Sequence, residues 1–552
     1  MADVDFQRLR FDYARHADQD APAPAQHPVV VVGAGPVGLA LAIDLAQRKV
    51  PVVLLDNDNT LSTGSRAICF AKRTLEIFDR LGCGEPMAAK GVSWNVGKVF
   101  FGDAQIYAFD LLAESGHERP AFINLQQYYV EGYLAQRAAQ LPLIDLRWSN
   151  KVVAIAQRDA DALLSIETPD GRYELVASHV VACDGSRSTL RELVGQKPQG
   201  RIFRDRFLIA DVKMSAVDQP AERWFWFDPR FHPNQSVLLH MQPDNVWRID
   251  FQLGWDADPE VEKRPENIIP RVKDLLAHSV MKDAQFELEW ASVYTFACQR
   301  MACFRHGRVL FAGDAAHGVS PFGARGANSG VQDADNLAWK LALVLQGRAP
   351  DALLATYCSE REFAADENIR HSTRATDFIT PKSDISRVFR DAVLDLAREH
   401  AFARTLVNSG RLSVPAILHD SPLNTPDSAP FEGRIVPGSA AVDAPVTLPD
   451  GSEGWLLRAL GDGFTAIVFD DDTPLAAAAI DGVPLDVLSV RSCGQAQDGV
   501  HLIDREGVVA ERYDLLPGSV VLLRPDQHVC ARWRRPSVEA VRHALERALA
   551  LH

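Results

Sequence analysis

The sequence predicts an α/β fold: a Rossmann-like unit with a mixed or antiparallel sheet inserted in it, followed by a smaller α/β unit. Three observations predict it. Pro28–Val32 reads as a buried strand, passes through glycines into an Ala/Leu-rich helix ending near Arg48, and returns as a second apolar strand, Val52–Asp56. That is one βαβ unit with parallel-type strands. From about 200 to 295 the pattern changes to short alternating segments, such as Ser236–His240 and Trp247–Phe251, separated by turn residues such as Gln242–Asn245. An antiparallel sheet has this signature. Finally, a Pro/Ser/Asp-rich stretch from Ser421 to Pro430 sets off a last α/β segment, which finishes in a helix from about Ser537.

In chain order, residues 1–27 are polar, then Pro/Ala-rich, and are expected to lie on the surface as an extension. Residues 28–200 and 296–420 are expected to form the nucleotide-binding domain with its following helices, 201–295 the inserted sheet and 431–552 the C-terminal domain. A chain of 552 residues is long enough for two or three such cores. The net charge of −15 argues against a nucleic-acid surface, which needs a basic excess to neutralise phosphates. The most apolar stretch, Leu337 to Leu354, is broken by Lys340 and Arg348, so no membrane span is expected. The N-terminus carries Asp3, Asp5, Arg8 and Arg10 in place of an apolar signal core, and the expected location is the cytoplasm. None of the eight cysteines belongs to a C-x-x-C pair; reduced thiols are expected and a metal site is not.

Gly33-Ala34-Gly35-Pro36-Val37-Gly38 spells G-x-G-x-x-G between the first strand and its helix. The first glycine permits a tight turn, the second lets a pyrophosphate approach the backbone, and the third lets helix and strand pack closely. The helix N-terminus, opening at Pro36, offers free N–H groups to the phosphates. Asp56 ends the next strand, where a carboxylate accepts hydrogen bonds from ribose hydroxyls. With strand, helix and acid all in place, this is a dinucleotide site. Two later segments each read alone as a strand ending in an Asp/Gly turn: Val180–Ser188, with Asp184, and Arg308–His317, with Gly313 and Asp314. The second leads into the glycine-rich loop Pro321-Phe322-Gly323-Ala324-Arg325-Gly326-Ala327-Asn328-Ser329-Gly330.

Together, in this order, the three segments and Asn336–Leu341 beyond them resemble the fingerprints of the class A flavoprotein monooxygenases, the aromatic hydroxylases of p-hydroxybenzoate hydroxylase type. The resemblance covers about residues 28 to 375 and implies FAD as cofactor. It would place Asp314 on a ribityl hydroxyl, the loop through Gly326, Ala327 and Asn328 against the isoalloxazine, and Asp184 where FAD and the nicotinamide cofactor are handled. Ser65-Arg66-Ala67 resembles the family's arginine near the flavin phosphates, and Gln127, four residues before Glu131, its glutamine near the ribityl chain. One departure is Gly-Ala-Arg-Gly where the family commonly has Gly-Gln-Gly. Arg325 then either holds an anionic substrate or the reduced flavin, or points to solvent. The C-terminal part, with Pro437-Gly438, Asp443-Ala444-Pro445 and Leu523–Val529, resembles the thioredoxin-like tail of the phenol and hydroxyphenylpropionate hydroxylases. Lacking C-x-x-C, it is expected to serve packing or a homodimer and not redox chemistry.

The resemblance also implies a reaction. NADH or NADPH reduces FAD, O2 adds at flavin C4a, and the hydroperoxide attacks an electron-rich ring, so the expected substrate is a small phenol. Such chemistry needs a pocket that excludes water. The inserted sheet is its expected wall, with His240 and Tyr294 as candidates for orienting or deprotonating the phenol, and Pro321 and Arg325 on the loop at the flavin edge. Arg223 or Arg248 would bind a substrate carboxylate, unless they merely face solvent. Two rival readings stand beside this one. Trp224-Phe225-Trp226-Phe227-Asp228-Pro229 nearly spells the W-x-W-x-I-P signature of flavin-dependent halogenases, and a flavin-binding module without catalysis would share the same fingerprints.

Overall fold

Four consecutive β-branched residues, Val29–Val32, end the strand Ala25–Val32 with almost no exposed surface. The computed structural model describes residues 5–64, 66–215, 219–407, 412–492 and 501–551; Asp3, Ser65 and Cys493 lie outside these. Ala25–Val32 is central in a parallel sheet. Val52–Leu55 and then Ile144–Arg147 lie on one side of it, Gly171–Ala182 and then Val309–Phe311 on the other. Where both faces are covered, as over Val29–Val32, Val52–Leu55 and Val309–Phe311, the strands are apolar runs. Helices Pro36–Gln47, Gln127–Ala139 and Gly326–Leu345 share this core. The N-terminal extension does not simply lie on the surface: Phe6 is buried edge-on against Tyr133 at 5.3 Å, and Phe11 stacks on Trp148 at 4.2 Å.

The chain leaves this domain along Gln199–Ile202 and returns along Ala297–Arg300, and the two segments pair antiparallel with each other. Between them it builds most of a second sheet, ordered Phe286–Tyr294, Arg206–Met214, Val246–Leu253, Ser236–Met241 and Arg223–Phe227. Two further strands complete this sheet from far upstream, Val96–Phe101 and Ala104–Asp110, the first running parallel to Arg223–Phe227. The sheet is therefore not confined to 201–295. A parallel pairing of strands so far apart in sequence leaves no local signal, so 96–110 reads as part of the nucleotide domain until the chain is folded.

Side chains alternate between the two faces of a strand. Trp224, Trp226, Val237, Leu239, Ile249 and Phe251 pack on one face against helix Pro265–Ala277. The opposite face carries Phe207, Phe225, Phe227 and Leu238 and packs toward Phe322 and the helices Ala352–Ile379 and Asp384–Glu399. It is this second face that meets the nucleotide domain.

The C-terminal sheet has Phe464–Phe469 and Leu485–Arg491 parallel at its centre, with the hairpin Val520–Leu523/Val529–Trp533 alongside. It is locked to the first domain through charge. Arg524 donates to Glu360 at 2.6 Å and to Asp526 at 2.6 Å, and Lys340 donates to Glu360 at 2.6 Å, all of them buried. Burial pushes the Glu360 carboxyl up, but Arg524 and Lys340 outweigh it and hold the group far below the ordinary range. No helix among the described residues is long and apolar enough to cross a membrane.

Candidate active site

The nucleotide end of the site is made of backbone. Gly33 has φ +105°, and a side-chain carbon there would lie 2.4 Å from the Cys183 carbonyl oxygen; one on Gly38 would lie 1.9 Å from that of Gly33. Only glycine lets turn, helix and neighbouring strand approach this closely. Gly35 precedes the helix and Pro36 takes its first position, where a missing N–H costs nothing. The Asp56 carboxylate accepts the N–H of Ala34 at 2.6 Å and of Asp58 at 2.8 Å. Burial raises its pKa, which those donors oppose. Its remaining lone pairs can accept ribose hydroxyls.

The other two segments close on this turn. The Val37 side chain touches the positions of both Gly313 and Gly330, so the N-termini of helices Pro36–Gln47 and Gly326–Leu345 converge at the Gly313-Asp314 turn. Two positive dipole ends at one place favour an anionic guest. Asp333 accepts the Gly313 N–H at 3.0 Å and is itself gripped by His317 at 2.7 Å and Arg361 at 2.6 Å. Burial pushes the Asp333 carboxyl up, yet His317 and Arg361 prevail and lower it. Arg191 donates to the carbonyls of Ser186 and Ala315, tying the second segment to the third. Asp184 accepts the Leu190 N–H at 3.0 Å with one oxygen; its other oxygen is buried without a partner, and burial raises the carboxyl. Asp314 reaches solvent although it lies so deep that burial raises its carboxyl, which places it on the floor of an internal cleft. Arg66 is exposed and close enough to oppose that shift.

Several expected contacts have other duties. Gln127 accepts the Ala67 N–H at 3.0 Å and donates to Glu131 at 2.7 Å, and Glu131 accepts the Ser62 N–H at 2.6 Å. Its side chain props the segment that carries Arg66. Asn328 likewise spends its side chain on backbone, accepting from Ala71 at 2.8 Å and donating to Cys69 at 2.9 Å and Ala324 at 2.6 Å. Arg325 does not point to solvent: it is 4% exposed, and its guanidinium reaches Asn368 at 3.4 Å. Gly326 and Ala327 sit half-buried in the first turn of their helix, and Pro321 is exposed at the head of the loop. Phe322 meets the second sheet edge-on, 4.7 Å from Phe207 and 5.7 Å from Phe296.

On that sheet, Arg223 stands opposite His240, His240 opposite Arg248, and Arg248 opposite Asp211. Opposed residues share a face, so four polar side chains cross the apolar face in one row. Asp250 and Tyr294 lie on the same face, through register with Leu238 and Phe207. Arg248 donates to Asp211 at 3.2 Å and to the Arg66 carbonyl at 3.1 Å, which joins the row to the cleft. Burial, then Arg223 and Arg248, push the His240 imidazole far below its usual pKa, so it stays neutral. Burial keeps the Tyr294 phenol protonated, with Asp250 and Asp314 acting in the same direction. Asp250, whose Oδ1 is buried without a partner, is pushed up to about 6 by burial against the pull of Arg248. The sequence singled out His240 and Tyr294 but missed Asp250, Asp211, Asp333 and Arg361. An acid inside an apolar helix, as at Asp333, was the one signal available.

A glycine cradle, an Asp at the end of the second strand and two helix N-termini converging on the Gly313-Asp314 turn define a dinucleotide-binding site. Residues 26–372 match the model of the FAD binding domain family, and the chain belongs to that family. It is 31% identical over 563 residues to 6-methylpretetramide 4-monooxygenase of Streptomyces rimosus, covering 96% of this chain and 95% of that one. It is 29% identical over 525 residues to 3-(3-hydroxy-phenyl)propionate/3-hydroxycinnamic acid hydroxylase of Burkholderia cenocepacia, covering 91% and 93%. The flavin-dependent monooxygenase PieE, solved with FAD and substrate, shares the fold with a TM-score of 0.80 over 96% of this chain and all of that one, at 20% identity. Hydroxylation, not halogenation, is the supported chemistry, and Trp224 and Trp226 of the halogenase-like segment pack against helix Pro265–Ala277, away from the cleft.

Proposed function

We propose that the protein hydroxylates a phenolic ring held between the cleft floor and the polar row of the second sheet, using NADH or NADPH and O2. The observation that carries this is the row itself: charged side chains on an apolar face, joined to the cofactor cleft through Arg248 and the Arg66 carbonyl. The residues present fit FAD, through the Gly33–Gly38 cradle, Asp56, the unspent oxygen of Asp184 and the deep carboxylate of Asp314. When bound, FAD supplies the redox chemistry that side chains lack. One reduced nicotinamide, one proton and one O2 convert the phenol to a diol, with oxidised nicotinamide and water as the other products. Phe207, Phe225, Phe227 and Phe322 are buried together on the face that carries the row and keep water from it. His240, being neutral, and Tyr294, staying protonated, orient the phenol by hydrogen bonds; Asp250, poised near neutrality, is the better proton acceptor. Gln127 and Asn328 act as positioning residues for the loops around the cofactor.

One relative acts, by name, on 3-(3-hydroxy-phenyl)propionate, a phenol with a side-chain acid, and another on 6-methylpretetramide; the first supports a phenolic ring as the substrate class here. The test is oxidation of NADH and NADPH by the FAD-loaded enzyme against a panel of phenols, with peroxide measured and product weighed. Stimulation by a phenol with a mass gain of one oxygen and little peroxide is the expected result. Indifference to every phenol would sink the reading.

A further inference from the structure

Arg223 is the cation of the polar row that no acid among the described residues pairs with. It is 8% exposed, its Nε is buried without a hydrogen-bond partner, and among the described residues it enters no ion pair. Arg248, on the other flank of His240, is by contrast spent on Asp211 and the Arg66 carbonyl. Asp250 acts on Arg223 only through space and, with its carboxyl pushed up to about 6, is a weak counter-ion. A buried guanidinium without an anion is costly, and proteins retain one where a ligand supplies the missing charge. The flanks agree: His240 opposes Arg223 directly, is neutral, and has its Nδ1 buried without a partner. Row, cation and unspent imidazole nitrogen together form a receptor for an oxyanion.

Resting on the hydroxylase reading, we propose that Arg223 receives an oxyanion of the aromatic substrate, with His240 beside it as a hydrogen-bonding partner. Two sources share this chemistry: a carboxylate substituent and the phenolate oxygen. In the first case the ring is held by its tail; in the second Arg223 favours the ionised form that donates electron density to the ring.

The test is ligand titration of the FAD-loaded enzyme without nicotinamide, read as the change in flavin absorbance. Two matched pairs serve as probes: 3-(3-hydroxyphenyl)propionate with its amide, and ionised 4-nitrophenol with phenol. If the carboxylate is received, the wild type prefers acid over amide by about tenfold or more, the Arg223→Gln variant loses that preference, and Arg223→Lys keeps part of it. If the phenolate is received, acid and amide bind alike, while Arg223→Gln weakens nitrophenolate by about tenfold relative to phenol. A wild type that discriminates in neither pair, or an FAD-loaded Arg223→Gln that keeps the wild-type preferences, overturns the proposal. A chain that takes up no FAD would instead sink the hydroxylase reading itself.

Discussion

The glycine cradle and the polar row face the same cleft but are made of different material. The cradle is backbone: Gly33 and Gly38 contribute space, and Asp56 and Asp333 hold N–H groups of Ala34 and Gly313 in place. The row is side chain: Arg223, His240, Arg248 and Asp211 stand on four different strands, and what each can do depends on the others. A backbone site tolerates no added atoms and recognises what every FAD shares. A side-chain site tolerates substitution, and in the proposed function it sets which ring is taken.

The largest effect should come from breaking the cradle. Gly38→Ala puts a carbon 1.9 Å from the Gly33 oxygen, and since both partners are backbone, about 3 kcal/mol of strain is expected. Purified variant should carry little or no FAD; full flavin content would show that the cradle gives way more easily than its geometry implies. Next is Asp333→Asn. It leaves Arg361 buried without its counter-charge and should cost about 3 kcal/mol in denaturant unfolding, with weaker FAD retention. If FAD retention were untouched, the Gly313 turn would not need its prop.

Substitutions in the row should spare FAD. Asp250 titrates higher in the folded protein, near 6, than the 3.8 of an ordinary aspartate, so the folded state keeps its proton where the unfolded chain has released it. Stability contributed at this position is therefore lost as pH rises between those values. Asp250→Asn should remove that slope, stabilise the protein by about 2 kcal/mol at pH 8, and slow turnover of weakly acidic phenols. An unchanged pH–stability curve would mean the carboxyl is not held up by burial. The smallest effect is expected from His240→Gln. The imidazole is already neutral, so stability should shift by about 1 kcal/mol or less and the pH profile of kcat/KM should keep its shape. A moved profile would restore His240 as the proton acceptor.

The same contrast separates what was legible in the sequence from what was not. Gly33, Gly35, Gly38 and Asp56 belong to one βαβ unit, whose spacing follows from strand and helix geometry alone, and the alternation of 201–295 already announces an antiparallel sheet. Chain-local physics suffices there: a tight turn needs glycine, and a doubly covered strand needs an apolar run. Which face meets the cleft was decided only by folding. Cross-strand register aligns Arg223, His240 and Arg248, and a slip of one residue would have exchanged them for Trp224, Leu239 and Trp247. Tertiary packing likewise turned Arg325 toward Asn368, gave Gln127 and Asn328 to the loops, and brought Val96–Phe101 in as a parallel strand. The reason is common to all of them. A side chain's charge state and partners depend on the whole environment that buries it, and residues distant in sequence supply most of that environment.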